Sequence, residues 1–239
     1  MRSLGGLFCL GVLIAASGAA GAAGEFFALH GVCACGSAIE LVSMSRVSPQ
    51  SLRWVDGLPF AEIPGSLAVV AGTEVPASKL RCPVEIVADG LPSSTLHVLV
   101  QVLFGGPIGQ GVEVGRLVVR YTSGLDTTIP LVMGVNVAES EWDRPGRSNE
   151  RAHEWVEPAL VSTLYGGDQS WKRGQFYLGA KLEPEAISAI ALEFTYAPSA
   201  EAPDRPVLPE LWITISGLTL ERDLPSSSKG DTYPIPRSR

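Results

Sequence analysis

Residues 115–137 read GRLVVRYTSGLDTTIPLVMGVNV, and this stretch decides the fold. Leu117, Val119 and Tyr121 alternate with Val118 and Arg120, the period-two texture of a strand with one buried face. Residues 122–126 (TSGLD) supply a turn, and 128–133 return as a β-branched and apolar strand. The spacing predicts an antiparallel hairpin whose inner face builds a core. Arg116 and Arg120 then belong to the outer face, solvated or paired with an acid on a neighbouring strand.

The same texture extends in both directions. Residues 96–104 (LHVLVQVLF) are apolar on both parities, which predicts a strand covered on both faces. Strands are also expected at 66–70, 84–87, 112–121, 175–182, 187–196 and 211–220 (LWITISGLTL). Residues 51–64 (SLRWVDGLPFAEIP) read as two short extended pieces around Asp56-Gly57. Trp54 and Trp212 lie in strand-like text and read as core. The glycines of 105–111 (GGPIGQG) are spaced like a phosphate cradle. A strand follows them where such a cradle needs a helix N-terminus, so they read as turn formers. Residues 138–174 lose the periodicity and read as a long loop, or a short helix with loops. About nine short strands and no long helical pattern predict an all-β fold, an antiparallel two-sheet β-sandwich over 51–222. A barrel is the alternative that patterning leaves open.

Composition agrees with this class. The 26 Gly and 18 Pro are scattered without a period, as in turn-rich β proteins. A formal net charge of −7 with 18 Lys+Arg provides no basic stripe for phosphates, so nucleic acid is not an expected partner. The first residues, MRSLGGLFCLGVLIAASGAAGAAG, carry Arg2, an apolar stretch and then small residues. This order predicts a secretory signal peptide over 1–24, cleaved after Ala22 or Gly24. The apolar stretch is shorter than the ~20 residues of a bilayer span, so no membrane span is expected after cleavage. Residues 25–50 read as an N-terminal strand and linker, and 223–239 as a disordered tail rich in Ser, Pro and charge.

Export places Cys33, Cys35 and Cys82 in an oxidising compartment, where Cys33 or Cys35 is expected to pair with Cys82. A metal site at Cys33-Ala34-Cys35 has the wrong spacing for structural zinc. Acylation there would require an unusually long leader interrupted by Glu25 and His30. No cofactor is expected, and nothing supports a structural calcium ion.

The order of motifs resembles bacterial secreted jelly-roll domains of the galactose-binding-like type. The resemblance is carried by GLPFAEIP at 57–64, by 114–142, by FYLGAKLEPEAISAIALEF at 176–194 and by LWITISGL at 211–218. Where that family has a tight Asp-Gly turn, this chain has Ser123-Gly124-Leu125-Asp126. Where it has an Asn-Pro pair, this chain has Leu182-Glu183-Pro184. The resemblance implies a jelly-roll sandwich of the kind found beside glycoside hydrolases or on cell-surface proteins.

Chemistry concentrates in 138–174. Sugars present flat C–H faces rimmed by hydroxyls, so a site for them needs aromatic platforms beside fixed donors and acceptors. Trp142, Trp155 and Trp171, with Asn136, Asp143, Arg144 and Asp168, form the candidate set. The alternative is that Trp142 and Trp171 pack under the loop as a satellite core and that Asn136 serves a turn. Enzyme signals are thin. There is no G-x-S-x-G elbow, and His153-Glu154-Trp155-Val156-Glu157 lacks the second histidine of a zinc-protease helix. Glu139, Glu141, Asp143, Glu154 and Glu157 offer acids for glycoside hydrolysis, but acids in a polar loop are ordinarily solvated. The expectation is an exported, non-catalytic carbohydrate-binding module, secreted or at the cell envelope. A protein-interaction or structural domain is the second reading, and a hydrolase with an unrecognised acid pair the third.

Overall fold

The hairpin at 115–137 forms as the alternation requires. In a computed structural model that describes residues 24–30, 39–43, 52–61, 67–71, 84–145, 151–196 and 210–223, strand β8 (Glu113–Tyr121) pairs antiparallel with β9 (Asp126–Val132). Leu117, Val119 and Tyr121 are buried, and Gly124 turns the chain at φ +88°. Arg116 Nε donates to Glu193 Oε2 at 2.9 Å and Arg120 lies 3.5 Å from Glu193 Oε1, so the outer-face arginines are ion-paired across strands. Pro130 falls in β9, at one end of the hydrogen-bonded path, where its missing N–H matters least.

Eleven further strands complete the fold, with no helix among the described residues. They are β1 (Gly24–His30), β2 (Ile39–Ser43), β3 (Leu52–Val55), β4 (Leu58–Ala61), β5 (Leu67–Ala71), β6 (Val84–Pro92), β7 (Thr95–Leu103), β10 (Leu160–Gly166), β11 (Gln169–Lys181), β12 (Ala186–Phe194) and β13 (Leu211–Asp223). One path runs β10-β11-β7-β13-β1-β2-β6-β12-β8-β9, with β5 also beside β13. Every pair is antiparallel except β2 with β6. The path curls through the β1–β2 hairpin, and its two halves pack face to face as an all-β sandwich. Leu96, Val98, Val100 and Val102 of β7 and Ile213 and Ile215 of β13 meet Leu117 and Val119 of β8 and Ile190 and Leu192 of β12 in one core cluster. Each such side chain contributes about 1.5–3 kcal/mol on burial.

The chain passes repeatedly between the layers, and the tightest of these connections joins β6 to β7. β6 pairs with β2 and β12, while β7 pairs with β11 and β13, so Ser93-Ser94 carries the chain from one layer to the other. The crossing is tied down where Ser94 N donates to Glu221 O at 2.8 Å and Leu182 N donates to Ser94 O at 2.9 Å.

β7 is covered on both faces, as its sequence requires. The β3–β4 hairpin lays Val55 and Phe60 over Leu99, and Thr219 Oγ1 donates to Pro59 O at 2.7 Å. This hairpin turns at Asp56-Gly57, with both residues at positive φ. Trp54 corrects the sequence reading: it is 62 % exposed, not core. Val55 and Phe60 lie on the hairpin face that packs on Leu99, and alternation turns Trp54 to the other. Trp212 is half-buried and donates from Nε1 to Glu210 Oε1.

A second correction concerns 138–174. This stretch contains β10 and the first half of β11, joined at Gly167-Asp168 with Gly167 at φ +60°. Strands form there because 160–166 (LVSTLYG) alternate and a two-residue turn reverses the chain. The mixture of apolar and polar residues on both faces hides that pattern. The strand and linker read at 25–50 include β1 and β2, which lie inside the sheet path. The signal peptide expected over 1–24 (apart from Gly24), the three cysteines at 33, 35 and 82, and the tail expected beyond Asp223 lie outside the described residues.

Candidate functional site

The site is assembled on the first half of β11. Residues 139–143 run beside it as an extension of β7's lane: Ser140 N donates to Val102 O and Gly174 N to Ser140 O, both at 2.8 Å. Lys172 N donates to Asp143 Oδ1 at 2.7 Å, and Val102 N donates to Ser140 Oγ at 2.9 Å.

Behind this segment lies a buried polar scaffold. Glu139 Oε2 accepts from Gly105 N at 2.7 Å and Gly106 N at 3.1 Å. The glycine-rich loop therefore does cradle an anion, but the anion is a carboxylate of its own chain. The chain enters this loop through Phe104, held at φ +69°. His153 is buried between Ile108 O, 2.9 Å from Nδ1, and Glu139 N, which donates to Nε2 at 3.2 Å. These partners assign the neutral tautomer with the proton on Nδ1. Burial lowers the His153 pKa; the bond to Ile108 O opposes that shift and the Arg151 charge adds to it.

Glu141 is the electrostatic anchor. Its side chain is 1 % exposed, and it accepts from Arg144 Nη1 at 2.7 Å, from Arg173 Nε at 2.8 Å and from Arg173 Nη2. Burial raises its pKa, but the hydrogen bonds and charges of Arg173 and Arg144 together outweigh it and hold Glu141 below the usual carboxylate range. Fixing both guanidinium groups also fixes what they cover: Arg144 Cζ stacks 4.9 Å above the Trp171 ring.

The three tryptophans do not form one platform. The Cβ position of Gly174 faces Trp142, whose Cζ3 would lie 2.8 Å from an added methyl. Alternation along β11 puts Trp171 on the opposite face from Gly174, where its ring lies over Gly166 under Arg144. Trp171 Nε1 is buried with no hydrogen-bond partner among the described residues. Trp142 and Trp155 do meet, edge to face, with centroids 4.7 Å apart and planes at 82°. Trp142 is half-buried, whereas Trp155 is 42 % exposed with Arg151 Cζ 5.2 Å from its ring centroid.

The remaining candidates divide. Asp143 is exposed beside β11, and Asp168 is exposed at the β10–β11 turn. Asn136 works inside its own turn: Oδ1 accepts from Val132 N at 2.8 Å and Nδ2 donates to Pro130 O at 2.9 Å. The sequence reading missed Arg151 and Arg173, which brace the aromatic rings and Glu141. It also missed Thr163, Tyr165 and Lys172, which share the Trp142 face of the β10–β11 ribbon. The alternation of Val161, Thr163 and Tyr165 before a Gly-Gly-Asp turn was the available signal. Among the described residues no group of three His, Cys, Asp or Glu side chains is gathered to hold a metal ion.

Fold and site together define an all-β sandwich with an edge-to-face tryptophan pair, one ring exposed, beside a β-ribbon. Compared with known proteins, the chain matches no family model, no curated protein and no solved structure.

Proposed function

We propose that this protein is an exported, non-catalytic β-sandwich module that binds carbohydrate at the cell envelope or outside it, through the Trp142–Trp155 pair. One observation carries the reading. Trp155 presents 42 % of its surface while Trp142 holds it edge-on at 4.7 Å. An exposed indole that is already fixed loses little conformational freedom when a sugar ring stacks on it. Asp143 and Arg151 stand nearby with the acceptors and donors that hydroxyl groups need. The leader-like N-terminus and the motifs resembling galactose-binding-like jelly rolls support the same reading.

The test is retention of the purified chain on an array of neutral polysaccharides that includes glucan, mannan and xylan. Trp155→Ala removes an exposed ring, so it should leave thermal unfolding within a few degrees of the parent while lowering retention about tenfold or more. Equal retention by parent and variant, or none by either, overturns the proposal.

A further inference from the structure

β10 and the first half of β11 continue beyond the core cluster as a two-stranded ribbon, and one face of that ribbon has a consistent chemistry. The register sets Val161 opposite Gly174, Thr163 opposite Lys172 and Tyr165 opposite Ser170, so these six positions share a face. Lys172 Nζ donates to Thr163 Oγ1 at 3.0 Å, which confirms the pairing at the level of side chains. Trp142 closes the Gly174 end of this face and holds Trp155 beside it. Tyr165 stands toward the other end, 80 % exposed. At the strand rise, the four steps from Val161 to Tyr165 span about 13 Å.

We infer that this ribbon face is the remainder of the binding site, and that its ligand is an elongated chain of several neutral sugar units lying along the strands, with Tyr165 as a second stacking platform. The inference rests on the carbohydrate reading and adds to it the length and charge of the ligand. Two aromatic platforms separated by more than the width of one sugar ring engage separate units of a chain. Between them lie an ammonium group and hydroxyls, groups that pair with sugar hydroxyls and that an apolar protein partner would leave buried and unmatched. The charge balance favours a neutral ligand. The exposed charges of the region are the two cations Lys172 and Arg151 against the acids Asp143, Glu154 and Glu157, so there is no cationic excess to select an anionic chain. Arg144 and Arg173 are already committed to Glu141. β10 itself carries no charged residue and no proline, so nothing along that strand repels a ligand or turns it aside.

The test is titration of the parent chain and of Tyr165→Ala and Trp155→Ala with oligosaccharides of two to six units, released from whichever array polysaccharide retains the parent. The expected result is that the parent binds hexasaccharide at least about tenfold more tightly than disaccharide. Tyr165→Ala should erase that advantage and leave disaccharide binding unchanged, whereas Trp155→Ala should weaken both. Equal parent affinity for short and long chains, or a hexasaccharide affinity untouched by Tyr165→Ala, overturns the inference while the carbohydrate reading stands. Retention on no polysaccharide removes both together.

Discussion

Trp142 lies against Gly174 so closely that a methyl group there would come within 2.8 Å of Cζ3 and 2.9 Å of Pro158 Cβ. The glycine is required for this close approach, since its backbone φ is unremarkable. Gly174→Ala should therefore displace Trp142 and, through the edge-to-face contact, Trp155. The expected loss is about 1–3 kcal/mol of stability from overpacking. Urea unfolding followed by tryptophan fluorescence measures it, and an unchanged midpoint together with an unchanged native spectrum would contradict this placement.

Glu141 supports the same neighbourhood from beneath. Replacing it with Gln leaves Arg144 and Arg173 facing a neutral amide in a buried position. A buried pair broken on one side loses about 3–5 kcal/mol, but both arginines are about one-third exposed and water moderates the effect. The expected loss is roughly 2 kcal/mol. Its pH signature has a definite sign. The folded pKa lies below the unfolded one, so the contribution is complete above the ordinary glutamate range and disappears as pH falls through the folded value. Acid unfolding of Glu141→Gln should consequently be shallower than that of the parent.

His153 acts in a higher window. Its folded pKa also lies below the unfolded value, so the unfolded chain takes up the proton first as pH falls. Stability from the neutral ring is full above about pH 6.5 and declines below it. Melting temperatures measured between about pH 7.5 and 5.5 should fall for the parent. In His153→Gln the slope should flatten, and parallel slopes for the two chains would assign the pH dependence to another group.

On the far side of the same layer, Tyr177 reaches over Gly179 to His97: Oη lies 2.8 Å from Nδ1, and His97 Nε2 lies 3.0 Å from Glu221 Oε2. His97 sits opposite Gly179 in the ladder, so the missing side chain is what lets the phenol lie along β11. Tyr177→Phe leaves a buried ring nitrogen without its partner and should cost about 1–3 kcal/mol, read by denaturant midpoint. Burial first, then the charges of Glu221 and Asp56, raise the Tyr177 pKa. The difference between parent and variant in an ultraviolet phenolate titration should therefore be one group ionising above about pH 10.

Much of this fold is legible residue by residue. Alternation in 115–133 predicts the β8–β9 hairpin and its buried face, and the two-sided apolarity of 96–104 predicts the double covering of β7. Asp56-Gly57 predicts a reversal and forms one. These features depend on neighbours close in the chain, where side-chain period and turn chemistry act directly. Trp54 shows the limit: its strand was readable, but which face the hairpin turns to the sheet depends on Val55 and Phe60 finding Leu99, some forty residues on. The ribbon of β10 and β11 was obscured because its faces are not segregated into apolar and polar, which is how a strand looks when no core lies against it.

The candidate site divides along the same line. Aromatic and charged content in 138–174 singled out the region, and composition alone suffices for that. Which tryptophans stand together was set by β-strand parity and by the room left at Gly174, so Trp142 joins Trp155 while Trp171 stays under Arg144 on the opposite face. The roles of Glu139 and Glu141, bound by loop amides and by two arginines, were likewise decided in three dimensions. Local sequence governs backbone periodicity because its forces act over a few residues. Pairing of side chains across strands is governed by register and sheet curl, which exist only once distant segments have met.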